Sequence, residues 1–239
     1  MVHAFSFCLY GPPNPLYYPL PMLENIYLAG TYFPMWKVYI YVAPDVDSGF
    51  VTQVGHYSNV VIRQTEVCGP ENMIHRFFAI DEPDVETMFS RDADSRIHWK
   101  DRWAINDFMS RPAYSLHGIR DNKSHGAVLL GGLWGMRKIG INMRGTYEMF
   151  KANPQDNGCG YDQSFLAACI YPHLKDKLLV HYSNGQKLSG EHVIEFPFEW
   201  TNDIFCGRPE SNFKDTTQPP AKEKSRSHVL QFLHSRSNG

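Results

Sequence analysis

Val85-Glu86-Thr87-Met88-Phe89-Ser90-Arg91-Asp92-Ala93-Asp94-Ser95-Arg96 sets the fold class of this chain. Residues 85–90 have the apolar, β-favouring character of a short strand, and they run directly into an Asp-x-Asp triplet with a helical pattern beyond it. Residues two apart in extended backbone face the same way, so Asp92 and Asp94 can present both carboxylates to one ion. Hard Mn²⁺ or Mg²⁺ prefers such oxygen ligands, with diphosphate oxygens and water completing the shell. The triplet alone is weak, and a second one, Asp45-Val46-Asp47, sits in a turn composition and reads as a solvated turn. Arg91 and Arg96 flank the first pair, either to answer negative charge or to hold the loop.

On both sides of this stretch strand and helix patterns alternate. Residues 2–9 open as a strand, and prolines at 12, 13, 15, 19 and 21 confine a helix to about 21–29, with Gly30 as its stop. Residues 36–42 and 59–63 read as strands, a short helical stretch starts at Pro70-Glu71, and 99–109 reads as a helix closed by Arg111-Pro112. A strand at 114–116, a glycine-broken apolar stretch at 128–136, helices at 144–151 and 162–170, and a strand at 178–182 follow. This order predicts a single α/β domain with a mostly parallel central sheet. Such sheets bind ligands at the carboxyl ends of their strands.

Composition narrows the function. The chain has 239 residues, 43% of them hydrophobic, enough for a real core, and a net charge of -2. Charges of both signs are mixed, without the basic stripe of a nucleic-acid-binding protein. Five scattered cysteines form no CxxC pair, which argues against a zinc knuckle or a disulfide framework and for a reducing compartment. The first residues read as a strand rather than a signal peptide, and no run reaches the roughly 18 apolar residues of a membrane span. The expectation is a cytoplasmic protein without a transmembrane segment. From Lys214 the composition becomes that of a linker. The expected organisation is a domain over 1–205 and a linker-like tail over 206–239, either a mobile end or the lead into a further C-terminal domain.

Three motifs in order resemble a known family: Ser90-Arg91-Asp92-Ala93-Asp94-Ser95-Arg96, Gly131-Gly132-Leu133-Trp134-Gly135, and Gly160-Tyr161-Asp162-Gln163-Ser164-Phe165-Leu166. They look like successive motifs of GT-A-fold nucleotide-diphospho-sugar glycosyltransferases, over about residues 1–200. Among that family's members is the N-terminal domain of a multidomain chlorella-virus protein. The resemblance implies a metal-dependent enzyme that moves a sugar from a UDP-linked or other nucleotide-sugar donor to a glycan or glycoprotein acceptor, in viral glycan synthesis if the likeness extends that far. It implies Asp92 and Asp94 as metal and diphosphate ligands, Asp162-Gln163 as the pair beside the donor sugar, and His181 as a late histidine completing the metal shell. By fold analogy Tyr10-Gly11 would receive the nucleotide base.

Other residues carry two readings each. Asp162 stands near a helix start, where an aspartate is often an N-cap; its alternative is a carboxylate at the anomeric carbon, acting as base or stabilising positive charge. Arg120, Asp121 and His125 make either a charged surface loop or contacts to donor hydroxyls or acceptor. Gly131 and Gly132 would let backbone approach a ligand closely. Trp134 is either a sugar-stacking face or core. Arg76, a charge inside an apolar run, needs a partner, either a diphosphate or a nearby carboxylate. Two other classes compete: an Asp-x-Asp phosphohydrolase of the haloacid-dehalogenase type, which carries its motif on the first strand rather than at position 92, and a non-catalytic carbohydrate- or nucleotide-binding module.

Overall fold

The structure is a computed structural model and describes residues 1–152, 160–198 and 204–209. Eight strands form one sheet: β1 (Val2–Leu9), β2 (Lys37–Val42), β3 (Val60–Gln64), β4 (Val85–Arg91), β5 (Leu116–Arg120), β6 (Leu133–Arg137), β7 (Leu178–Tyr182) and β8 (His192–Glu195). Their spatial order is β3-β2-β1-β4-β6-β5-β7-β8. Every neighbouring pair is parallel except those made by β6, which runs against both β4 and β5.

The central strands are buried on both faces, which is why β1 and β2 read as near-continuous apolar runs rather than alternating ones. Phe5, Phe7 and Leu9 of β1 pack with Val38, Ile40 and Phe89 under helices α1 (Leu20–Tyr32), α2 (Ser48–Gly55) and α3 (Trp99–Met109). Ala4, Cys8, Tyr39 and Met88 face the other way, toward a run of 3₁₀ turns over Gly69–Asp81 and helices α4 (Met143–Ala152) and α5 (Tyr161–Phe165). The result is an α/β/α sandwich.

Chain order fixes where this sheet opens. From β1 the connections step outward to β2 and β3, and the chain then returns to place β4 on the opposite side of β1. The carboxyl ends of β1 and β4 therefore flank a topological switch point, the place where open α/β sheets leave a crevice. Asp92 follows the last residue of β4, and Tyr10 the last residue of β1.

Several elements differ from the sequence reading. α1 continues past Gly30 because Tyr32 and Phe33 are drawn into the core, and burial overrides the local stop. The Asp45–Asp47 turn hides a helix start: Asp47 accepts the Phe50 N–H at 2.7 Å and caps α2. The strand expected at 114–116 lies at Leu116–Arg120, where a buried histidine, glycine and arginine mask its strand character. The helix expected over 162–170 is found but changes type at Phe165: α5 passes into a π turn over Leu166–Ile170 and runs on into a further helical turn, α6 (Tyr171–Leu174), with Pro172 near its start. The strand β8 carries no strong pattern of its own.

The expected boundary at 205 falls inside the domain. Cys206 is fully buried, its N–H donates to Asp121 at 3.0 Å, and Pro209 pairs with Ser95. The linker-like stretch from Lys214 lies outside the described residues, as does Cys159. Cys8, Cys68, Cys169 and Cys206 are free thiols. No helix among the described residues is long and apolar enough to cross a membrane.

Candidate active site

A cleft of about 420 Å³ opens at the carboxyl ends of β1 and β4. Its lining combines aromatic and apolar surface from Tyr10, Pro12, Tyr17 and Tyr18 with charge from Arg76, Asp92 and Asp94. The aromatic part of the lining is held by local bonds. Gly11 takes a positive φ of 76°, which a glycine adopts without strain, and its carbonyl accepts from the Tyr18 hydroxyl, whose ring packs on Phe50.

Among the charged lining residues Arg76 is the organising group. It projects from the 3₁₀ segment, is 3% exposed, and forks between two carboxylates: Nη1 binds Asp92 and Nη2 binds Asp162 at 2.8 Å. Burial works against its charge, yet Asp92 foremost, then Cys8 and Asp162, keep its pKa above the ordinary arginine value. Of the two readings of Arg76, the structure shows the carboxylate partner.

Asp92 keeps a 40% exposed side chain despite that ion pair. Asp94, partly buried on the same loop, has its pKa raised by desolvation first and by the Asp92 charge second. Two carboxylates thus share one guanidinium, and with Asp94 beside Asp92 on the same loop these four groups leave a local charge of about -2 by formal count. The glycines complete this arrangement. A Cβ on Gly132 would collide with the Asp92 carboxylate, and one on Gly131 would collide with that of Asp162 and stand 2.7 Å from Arg76. β6 runs antiparallel to β4, with Leu133 opposite Arg91, so these residues must pass the acidic loop. The close approach expected of Gly131 and Gly132 is therefore to the site's own carboxylates.

The loop itself is fastened from outside the cleft. Arg91 is buried against Asp101 at 3.0 Å, and Arg96 against Glu24 at 2.6 Å, so both arginines hold the loop instead of answering a ligand's charge. Asn25, wholly buried on α1, donates to the Ser95 carbonyl at 2.7 Å and accepts the Ile97 N–H at 3.0 Å. Asn72 likewise donates to the Leu9 carbonyl at 2.9 Å and fixes the end of β1. The sequence reading missed both asparagines; the available signal was an amide inside an apolar helical run, which has to find partners.

Other expected site residues lie elsewhere or behind the cleft wall. Asp162 is 3% exposed: one oxygen holds Arg76 and the other accepts the Gln163 N–H at 2.9 Å. It neither caps its helix, a position held by Gly160, nor lines the cleft, so the expected approach to a reacting sugar is replaced by a contact to Arg76. Gln163 beside it is half-buried.

His181 does not complete a metal shell. It is fully buried under α3, with Nε2 3.1 Å from Asp107 and Nδ1 2.8 Å from His117 Nε2. Burial lowers its pKa and that of His117, so both rings are neutral near pH 7. The network then sets the tautomers: His181 donates through Nε2 to Asp107, and its one lone pair accepts from His117. No lone pair remains for an ion.

Arg120 and Asp121 are also spent internally, Arg120 on Glu191 at 2.6 Å and Asp121 on Lys100 at 2.6 Å. His125 is buried beside Asp121, whose N–H donates to its Nδ1 at 3.2 Å. All three are buried, and of the residues between them only Lys123 and Ser124 are exposed. Trp134 is fully buried with Phe77 edge-on at 5.0 Å, which makes it core and not a sugar platform. A second convergence of potential ligands, His98, Asp101 and Cys206, serves the start of α3: His98 Nδ1 accepts the Lys100 N–H at 3.2 Å, and Asp101 is held by Arg91 and the His98 N–H.

No family model matches the chain, and no curated protein matches it in sequence. Solved structures do. A Desulfovibrio desulfuricans protein assigned as a nucleotide-diphospho-sugar transferase is 12% identical, with 78% of this chain and 83% of that one covered at a TM-score of 0.50. The 4-diphosphocytidyl-2C-methyl-D-erythritol synthase of Anaerococcus prevotii is 11% identical, covers 91% of this chain and 93% of its own, and reaches a TM-score of 0.51. A glycosyltransferase involved in glycosylation of the major capsid of PBCV-1 is 14% identical over 76% of this chain and 82% of that one, at a TM-score of 0.48. At these identities the likeness is one of fold, the GT-A-like fold of nucleotide-diphospho-sugar transferases.

Proposed function

We propose that this chain is a metal-dependent glycosyltransferase that takes a sugar from a nucleotide-diphospho-sugar, with UDP-linked donors the first to test, and passes it to a hydroxyl of a glycan or glycoprotein. One observation carries the reading: the cleft at the switch point is lined by aromatic rings together with an acidic pair. A flat base with a diphosphate attached matches that lining only if a cation stands between the phosphates and the carboxylates. Without one, a diphosphate would meet a surplus of negative charge.

Asp92 and Asp94 suit a hard divalent cation in donor chemistry, exposure and charge, and they would hold Mn²⁺ or Mg²⁺ there. When bound, such an ion supplies neutralisation of the diphosphate leaving group. The remaining work falls to the chain's own groups. Tyr10 and Tyr17 offer ring faces for the base, Arg76 holds Asp92 in register, and the Asn25-anchored loop keeps the acidic pair at the cleft mouth.

The test is a donor panel with Mn²⁺, reading nucleoside diphosphate release with and without glycan acceptors. Release from a UDP-sugar that stops on chelation supports the reading. Pyrophosphate release from a nucleoside triphosphate plus a phosphorylated substrate would instead assign nucleotidyl transfer, the reaction type of the Anaerococcus synthase. Saturable donor binding without turnover under any condition would leave a binding module. Phosphate release from a simple phosphomonoester would point to the hydrolase class.

A further inference from the structure

We propose that Asp162 is a positioning residue that acts on the acidic loop through Arg76, coupling the start of α5 to the cation-binding carboxylates; this rests on Asp92 and Asp94 being that cation's site. The geometry has three parts. Asp162 and Asp92 stand 70 residues apart in sequence, yet one buried guanidinium spans them. A planar fork with a carboxylate on each arm fixes both in direction as well as distance.

The Asp162 side chain is itself immobilised, since its second oxygen accepts the Gln163 N–H and the missing Cβ of Gly131 makes its seat. Behind it Phe165 stacks on Phe77 at 6.4 Å, tying α5 to the segment that carries Arg76. Ser90, the last residue but one of β4, donates to the Gly131 carbonyl at 2.6 Å and closes the ring of contacts around the three charges. An Asp162 that loses its charge frees one arm of the fork, and Arg76 is then no longer constrained to hold Asp92 in one orientation.

The coupling is measurable without any acceptor. Calorimetry of UDP with Mn²⁺ is run on the wild type, Asp162→Asn, Arg76→Lys and the double variant, with thermal melts to establish that each is folded. Lysine keeps the buried positive charge, which protects the fold, but a point charge cannot fork. Asp162→Asn should weaken Mn²⁺-dependent UDP binding about tenfold when Arg76 is present and less than about twofold beside Arg76→Lys, because coupled residues are non-additive.

Equal losses in both backgrounds would overturn the proposal, as would Asp162→Asn leaving affinity untouched in both. Should Arg76→Lys fail to fold, Asp162→Glu replaces it: a longer carboxylate that restores the contact should recover most of the affinity, and failure to do so counts against the coupling. A wild-type chain that binds no UDP with Mn²⁺ removes the active-site reading and this proposal together. Binding with additive losses removes the coupling alone.

Discussion

Asp92 and Asp94 occupy one loop but answer different demands. Asp92 is tethered by Arg76 and keeps 40% of its side chain exposed, whereas Asp94 is partly buried and its carboxylate is in no arginine fork. Asp94→Ala should therefore abolish Mn²⁺-dependent UDP binding while shifting the melting temperature by no more than about 2 °C, as for a cleft substitution outside the core. Unchanged binding in calorimetry would remove Asp94 from the site. Gly132→Ala tests the same loop sterically, because its methyl group meets the Asp92 carboxylate. The expected outcome is a folded protein with Mn²⁺-dependent binding weakened at least tenfold, and wild-type affinity would show that Asp92 can move freely. Asn25→Ala removes two well-formed bonds and strands a buried carbonyl and N–H, costing about 2–3 kcal/mol in urea unfolding. A loss under 0.5 kcal/mol, on the order expected at the surface, would mean the loop holds its own shape.

The elements differ in how plainly their sequences announce them. Residues 99–109 and 178–182 sit where their patterns place them, because in each the local preference and the tertiary demand agree. β5 and β8 were hidden, since Leu-His-Gly-Ile-Arg and His-Val-Ile-Glu carry polar groups that only the folded partners satisfy. His117 on β5 and His181 on β7 show why. His181 alone reads as a candidate ligand, and together with His117 and with Asp107 on α3 it forms a buried hydrogen-bonded row. Burial depresses both histidine pKa values, so the fold favours their neutral forms. Their contribution to stability is fully present above the unfolded value near 6.5 and is lost as pH falls below it, since the unfolded chain then binds more protons. Asp107, whose own pKa is lowered, adds a separate loss only in the carboxylate range. Melting temperatures measured from pH 8 to pH 5 should start to decline near pH 6.5, and the decline should be shallower in a folded His117→Phe variant. A flat profile across that range would contradict the neutral pair.

At the scale of the whole molecule, the switch point between β1 and β4 explains why the acidic stretch was legible from sequence while much of its surroundings was not. A strand running into Asp-x-Asp is a local pattern, and the sheet sets it at a carboxyl end among parallel strands. The Arg76 fork, the Asn25 staple and the glycine seats join residues 16 to 86 positions apart, which no periodicity reveals. Trp134, Arg120 and Asp121 misled for the complementary reason: residue types suited to sugar binding are equally suited to a core or to a buried ion pair once partners arrive. The central claim is that the cleft holds a divalent cation between Asp92 and Asp94 with a nucleoside diphosphate across it. The most direct measurement is anomalous diffraction at the manganese edge from crystals grown with Mn²⁺ and UDP. The account predicts one strong peak between the Asp92 and Asp94 carboxylates, in contact with the diphosphate, and the base against Tyr10. A peak confined to His98, Asp101 and Cys206, or UDP bound away from the ends of β1 and β4, would contradict it.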